Sequence, residues 1–254
     1  MDSDRFSLAG KVTVVTGGRQ GIGKVVSHQL AEQGSDVVIL DLADASEVAA
    51  EIAAQHGVRA IALQCDVTDP DGVAQAIEQA AADMGTLDLL FNNAGICLHK
   101  PALDCTPTDF TNVVNVNLNG IFFVAQAFAR YLVAQGKTGN IVNTASMSAT
   151  IVNTPQGQAS YNSSKAGVMH LTKSLAVEWA PLGIRVNSIS PGYINTEMTG
   201  NVRQDWRELW TEMIPFKRMG NPAELAGAVI YLLSDASTYT SGADLIIDGC
   251  FVTV

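Results

Sequence analysis

The sequence predicts an α/β fold: a doubly wound parallel sheet of about seven strands with helices on both faces. Three observations carry that reading. The apolar runs are continuous rather than alternating, as strands covered on both faces require. They alternate with stretches of helical period, which demands right-handed crossovers between parallel strands. A chain of 254 residues, 47% hydrophobic and 16% charged, suits a single globular core rather than a disordered polymer.

The apolar run Val12–Thr16 makes the first strand and ends in the glycine-rich stretch TGGRQGIG, residues 16–23. A helical pattern through Val25, Val26, Leu30 and Ala31 stops near Gly34. Residues 37–40, closed by Asp41, form the second strand. The cycle repeats as helix 45–56, strand 60–65, helix 71–84 and strand 87–92. A long helical stretch, 108–135, leads to strand 140–145, and helix 161–180 feeds strand 185–189. Helix 223–233 and strand 244–247 close the chain. No repeat or linker interrupts this order, so residues 1–254 read as one domain. Only 195–215 break the cycle, a polar stretch with Trp206 and Trp210 among charges. Loops beyond strand carboxyl ends lie over the ligand crevice of such sheets, so a substrate lid is expected there rather than a plain surface excursion.

Composition excludes several classes. A net charge of −10 argues against nucleic acid, whose phosphates require a basic face. Cys65, Cys97, Cys105 and Cys250 show no C-x-x-C spacing, so neither a disulfide framework nor a zinc site is expected. His28, His56, His99 and His170 are scattered without ligand spacing, and no catalytic metal is anticipated. The polar start MDSDRFSLAGK lacks the apolar core of a signal peptide, and no apolar run reaches the ~18 residues of a membrane span. The expectation is a cytoplasmic protein with no membrane partner.

Gly17, Gly21 and Gly23 follow the first strand directly and open the first helix. Glycine permits the tight turn and brings backbone N–H groups to a pyrophosphate, where the helix amino terminus adds partial positive charge. Arg19, Gln20 and Ile22 share that loop. With a strand before and a helix after, the pattern reads as a dinucleotide site. Asp41, followed by Leu42, ends the second strand, where a carboxylate accepts hydrogen bonds from ribose hydroxyls and repels a 2′-phosphate. That favours NAD over NADP, with Arg19 as a counter-signal.

TGGRQGIG, CDVTD at 65–69, NNAG at 92–95, YNSSK at 161–165 and SPGYINT at 190–196 resemble, in order, the motifs of short-chain dehydrogenases/reductases. The resemblance spans nearly the whole chain. It implies a single-domain Rossmann fold, a homotetramer, and a Ser-Tyr-Lys centre assisted by an asparagine. By the same resemblance, Asp66 and Val67 lie at the adenine, and Asn93, Ala94 and Gly95 beside the adenosine ribose. Pro191, Gly192, Ile194 and Thr196 grip the nicotinamide carboxamide, and Asn117 helps hold a water in a proton relay.

The chemistry follows from residue types as well. Reducing a ketone leaves alkoxide charge that needs a proton donor. Tyr161 and Lys165, at i and i+4, share one helix face. The ammonium, together with an oxidised nicotinamide, is expected to lower the phenol from its ordinary pKa near ~10, and the resemblance adds a contact of Lys165 to the nicotinamide ribose. For the serine, counting back from Tyr161 by the family's usual gap reaches Ser148, whereas matching the strand end reaches Ser146. A strand terminus holds a hydroxyl more rigidly, so Ser146 is preferred and Ser148 becomes a substrate contact.

The segment NTPQGQASYN, residues 153–162, resembles family members acting on sugar alcohols and ketoses. Asn153, Gln156 and Gln158 offer amides to several hydroxyls, which suits a polyol. The expected activity is NAD-dependent interconversion of a secondary alcohol, a polyol, and its ketone. A 3-oxoacyl-thioester reductase, a steroid or diketone reductase and a nucleotide-sensing binding protein are the rivals. The net acidity and Asp41 count against the first.

Overall fold

The computed structural model describes residues 5–254, so the first four residues of the polar start lie outside it. Seven parallel strands form one sheet in the order β3-β2-β1-β4-β5-β6-β7. They are β1 Val12–Thr16, β2 Asp36–Asp41, β3 Ala60–Gln64, β4 Leu89–Asn92, β5 Gly139–Thr144, β6 Ile184–Pro191 and β7 Asp244–Ile247. The predicted strands are all present along the chain, with ends shifted by a few residues.

Alternate residues of each strand serve opposite cores, which is why the runs read as continuously apolar. Val12, Val14, Val38, Leu40 and Leu90 pack under α3 (Pro70–Met84), α5 (Ile121–Ala134) and α6 (Ala159–Trp179). Their neighbours Val15, Val37, Ile39, Leu89 and Phe91 pack under α1 (Gly21–Glu32), α2 (Ser46–His56) and α9 (Ala223–Leu233). Each such side chain contributes roughly 1.5–3 kcal/mol by leaving water.

The expected continuous helix 108–135 is instead α4 (Pro107–Val114), a π-helical turn (Asn115–Gly120) and α5. Together they make a 28-residue segment apolar enough by composition to cross a membrane, contrary to the reading that no run is so long. Its Val124, Ala125, Phe128 and Leu132 face is buried in the core against α3, which accounts for that apolarity.

The sheet order reverses between β1 and β4, and the loops leaving their carboxyl ends diverge to leave a crevice. The stretch read as a lid forms α7 (Glu197–Gly200) and α8 (Gln204–Met213). It is pinned rather than loose: Trp210 is buried with Met147, Tyr193, Ile214, Met219 and Phe251 in a core of its own.

Candidate active site

The glycine loop of the crevice is built for close backbone approach. Gly17 and Gly21 have φ of 66° and 56°, a region side chains disfavour. A Cβ on Gly23 would lie 2.1 Å from the Gly17 carbonyl oxygen. Two helices of the opposite layer begin with side-chain caps: Asp69 accepts from the Asp71 N–H ahead of α3, and Thr106 and Asp109 form a reciprocal box at α4. The amino terminus of α1 differs. Gln20 makes no side-chain cap and the first turn holds no acid, as at α6; what sets α1 apart is the glycine turn that exposes its N–H groups and positive dipole end. Together with the glycine turn, these residues fit a pyrophosphate.

The flanking residues divide by role. Asp41 accepts hydrogen bonds from the backbone N–H groups of Arg19 (3.1 Å) and Ala43 (3.1 Å), which aims its carboxylate along the crevice edge beside the exposed Arg19 and Leu42. Asp66 is exposed at its own turn, tied to the Thr68 N–H and hydroxyl, while Val67 packs against Gly120. Asn93 stands behind the loop, donating to the carbonyls of Thr16 (3.2 Å) and Gly17 (3.3 Å). The Thr16 hydroxyl accepts from the N–H groups of Asn93 and Ala94, so β1 and β4 are fastened together where they separate. Gly95 leaves room for chemistry: a Cβ there would come within 3.5 Å of Lys165 Nζ.

Beside this crevice lies a pocket of about 110 Å³, walled by Ile22, Ser146, Ser148, Asn153, Gln156, Tyr161, Pro191, Gly192, Ile194 and Thr196, all of them anticipated. Ser146 lies two residues past the end of β5, not on the strand. It caps the one-turn 3₁₀ helix Met147–Ala149, accepting from the Ser148 N–H at 3.1 Å, and its hydroxyl stands near enough to the Tyr161 phenol to favour the phenolate. Ser148 lies in the same pocket wall, where its hydroxyl accepts a 3.4 Å hydrogen bond from Gln158. Both serines thus face the pocket, and Ser146 is held by its place as a cap rather than by the strand terminus.

Lys165 Nζ is buried, lies 5.7 Å from the Tyr161 ring centroid and donates to the Thr144 carbonyl oxygen at 2.7 Å. Burial pushes this lysine down to about 8, with the Cys97 thiol acting oppositely. Burial also pushes Tyr161 above its ordinary value, reinforced by Cys97 and opposed by the Ser146 hydroxyl. From the protein's own groups, desolvation is the larger force on the phenol; the expected lowering belongs to Lys165 together with an oxidised nicotinamide. Asn117 is held in place: its amide exchanges hydrogen bonds with the Ile96 backbone (2.8 and 2.9 Å) and donates to Ser164 (3.1 Å). Both amide hydrogens are used, so a relay water at this residue is left to the second lone pair of Oδ1 or to its backbone carbonyl.

The amides also differ from expectation. Asn153 and Gln156 donate to the Tyr193 hydroxyl (3.0 and 3.2 Å), and Gln158 donates to Asn153 (3.0 Å). Trp210 Nε1 donates to Gln156 (3.1 Å) while its ring stacks on Tyr193 at 4.3 Å. They form a mutually satisfied wall rather than a row of free donors. Sequence reasoning missed Tyr193, Thr144, Cys97 and Trp210 as site members. Tyr193 lay inside the SPGYINT motif, but nothing in its spacing revealed the stack.

A family model described as "Enoyl-(Acyl carrier protein) reductase" matches residues 17–251. An NADP-dependent mannitol dehydrogenase of Hypocrea jecorina is 41% identical, covering 98% of this chain and 95% of its own. An NADH-dependent L-xylulose reductase of Ambrosiozyma monospora is 42% identical over 98% and 97%. Among solved structures, a short-chain type dehydrogenase/reductase from Mycobacterium marinum superposes with a TM-score of 0.94 at 44% identity, covering 98% of each chain.

Proposed function

This chain belongs to the short-chain dehydrogenase/reductase family, and we propose that it interconverts a sugar alcohol and its ketose with NAD as the preferred cofactor. The observation that carries the reading is the Tyr161 phenol in the pocket wall, beside Ser146, with buried Lys165 one turn further along α6. The nicotinamide ring supplies the hydride donor or acceptor when bound. Tyr161 handles the proton: its phenol donates to the oxygen of a ketone being reduced, and its phenolate takes the proton from an alcohol being oxidised. Ser146 holds that oxygen and stabilises its developing charge. Lys165, anchored on Thr144, brings a cation beside the phenol and would hold the ribose hydroxyls of a bound cofactor, as the family resemblance implies.

Support for a polyol comes from the relatives, which include a mannitol dehydrogenase and an L-xylulose reductase. Support for NAD comes from the Asp41 carboxylate, which would repel a 2′-phosphate. Relatives using each cofactor exist, so the carboxylate carries the preference. A cytoplasmic homotetramer completes the proposal, and light scattering giving four times the chain mass would support that assembly.

The family model's description favours a second reading, an enoyl-thioester reductase that saturates a carbon–carbon double bond, beside the 3-oxoacyl-thioester rival that reduces a ketone. Net charge of −10 weighs against docking an acidic carrier. One spectrophotometric panel separates them: polyols and ketoses, diketones, 2-enoyl thioesters and 3-oxoacyl thioesters, each with NAD(H) and NADP(H). Turnover confined to thioesters would overturn the sugar-alcohol reading.

A further inference from the structure

His99 stands in the loop after β4 and lines the same pocket as Tyr161, yet the proton chemistry above does not use it. Its ring is held edge-on by two tryptophans of α8: Trp206 at 5.6 Å and 79°, and Trp210 at 6.5 Å and 61°. Trp210 is itself fixed by its stack on Tyr193 and its hydrogen bond to Gln156. The imidazole is thus packed into one orientation by residues far away in the chain. Neither ring nitrogen has a hydrogen-bond partner among the described residues, and neither is sealed from the pocket or solvent. Burial moves the ring below its ordinary value, so near pH 7 it is neutral and offers one donor and one acceptor.

That combination matches an alcohol hydroxyl, which can both donate and accept. The oxygen on the reacting carbon is already served by Tyr161 and Ser146, and the amides of Asn153, Gln156 and Gln158 are engaged with one another, Tyr193 and Trp210. We propose that His99 is a specificity-determining residue that hydrogen-bonds a second hydroxyl of the substrate, away from the carbon being oxidised. This deepens the sugar-alcohol reading and rests on it. It also gives α8 a purpose beyond covering the pocket, since its tryptophans hold the recognising ring.

The test compares wild type, His99→Leu and His99→Gln with saturating NAD, using D-mannitol and D-arabinitol against 2-butanol, which has no second hydroxyl. His99→Leu should raise KM for the polyol by about tenfold, the worth of one neutral hydrogen bond, with kcat little changed. Its 2-butanol kinetics should be unaltered, and His99→Gln, retaining a donor and an acceptor, should recover most of the polyol KM. An unchanged polyol KM in His99→Leu overturns the assignment, as does a parallel loss on 2-butanol, which would mark a structural role. Should His99→Leu fail to bind NADH, His99→Phe, which keeps a ring against the tryptophans but offers no hydrogen bond, takes its place: a raised polyol KM with unaltered 2-butanol kinetics supports the contact, and an unchanged polyol KM or equal losses on both substrates reject it. A wild type that oxidises 2-butanol but no polyol instead removes the sugar-alcohol reading, and the His99 contact falls with it.

Discussion

At the scale of single residues, Tyr161 is held between opposing forces. Burial and the neighbouring Cys97 favour the neutral phenol, and the Ser146 hydroxyl favours the phenolate. Alcohol oxidation consumes the phenolate and ketone reduction consumes the phenol, so oxidation should climb with pH while reduction falls at the alkaline end. Removing Ser146 deletes the influence that lowers the phenol, so in Ser146→Ala the rise in oxidation should move to higher pH. Tyr161→Phe deletes the proton carrier and should lower kcat about 10²–10⁴-fold while cofactor binding survives, because the glycine loop is untouched. Rate–pH profiles of the three proteins test both statements. A Ser146→Ala profile displaced to lower pH would mean that the serine favours the neutral phenol instead. Lys165, pushed down to about 8, carries its charge only below that pH, so its ammonium helps the phenolate least where oxidation is fastest.

At the scale of elements, α1 begins without a cap while α3 and α4 carry one, and the glycine turn ahead of it opens those free N–H groups to a ligand. A methyl group on Gly23 would meet the Gly17 carbonyl oxygen at 2.1 Å, so Gly23→Ala must open the turn that aims them. The expected outcome is loss of NADH fluorescence enhancement together with a lower melting temperature, destabilised by about 1–3 kcal/mol as overpacked sites are. Unimpaired NADH binding by that variant would remove the turn from the cofactor site. The strands and this loop were legible in the sequence because their signals are local: continuous apolar runs, and glycines at a strand-to-helix junction. The π turn was not, because it is stabilised by Asn117 gripping Ile96, a contact between residues 21 positions apart. Nor was the satisfied amide wall, since Gln156 meets Trp210 across 54 positions. Asn153 and Gln156 do line the pocket, but the partners of Gln156 depend on how α8 folds back. His99 was invisible as a site residue for the same reason: its spacing carries no motif, and its role comes from tryptophans in a different element.

At the scale of the whole molecule, the sheet converts two separate sequence signals into one surface. The order β2-β1-β4 sets Asp41 on one side of the glycine loop and the 92–95 turn on the other, so recognition of the adenosine end is structurally distant from the Tyr161 pocket beyond β5. Cofactor choice should therefore be separable from substrate choice and visible in the stability of the entire fold. A ligand that binds only the folded chain adds about 2.7 kcal/mol at a hundred times its Kd. For a chain of this size each kcal/mol raises the melting temperature by about 2–4 °C. At equal concentrations NADH should raise it more than NADPH, because the 2′-phosphate must approach the Asp41 carboxylate that Arg19 and Ala43 N–H groups hold in place. In Asp41→Ala the two shifts should converge, chiefly by a gain for NADPH, with the Arg19 side chain left free to meet the phosphate. Polyol KM measured with NADH should stay near wild type in that variant, since nothing in the pocket has moved. Equal stabilisation of the unmodified protein by both cofactors would transfer the preference away from this carboxylate, and a polyol KM that shifted along with it would show that the two ends of the crevice are coupled after all.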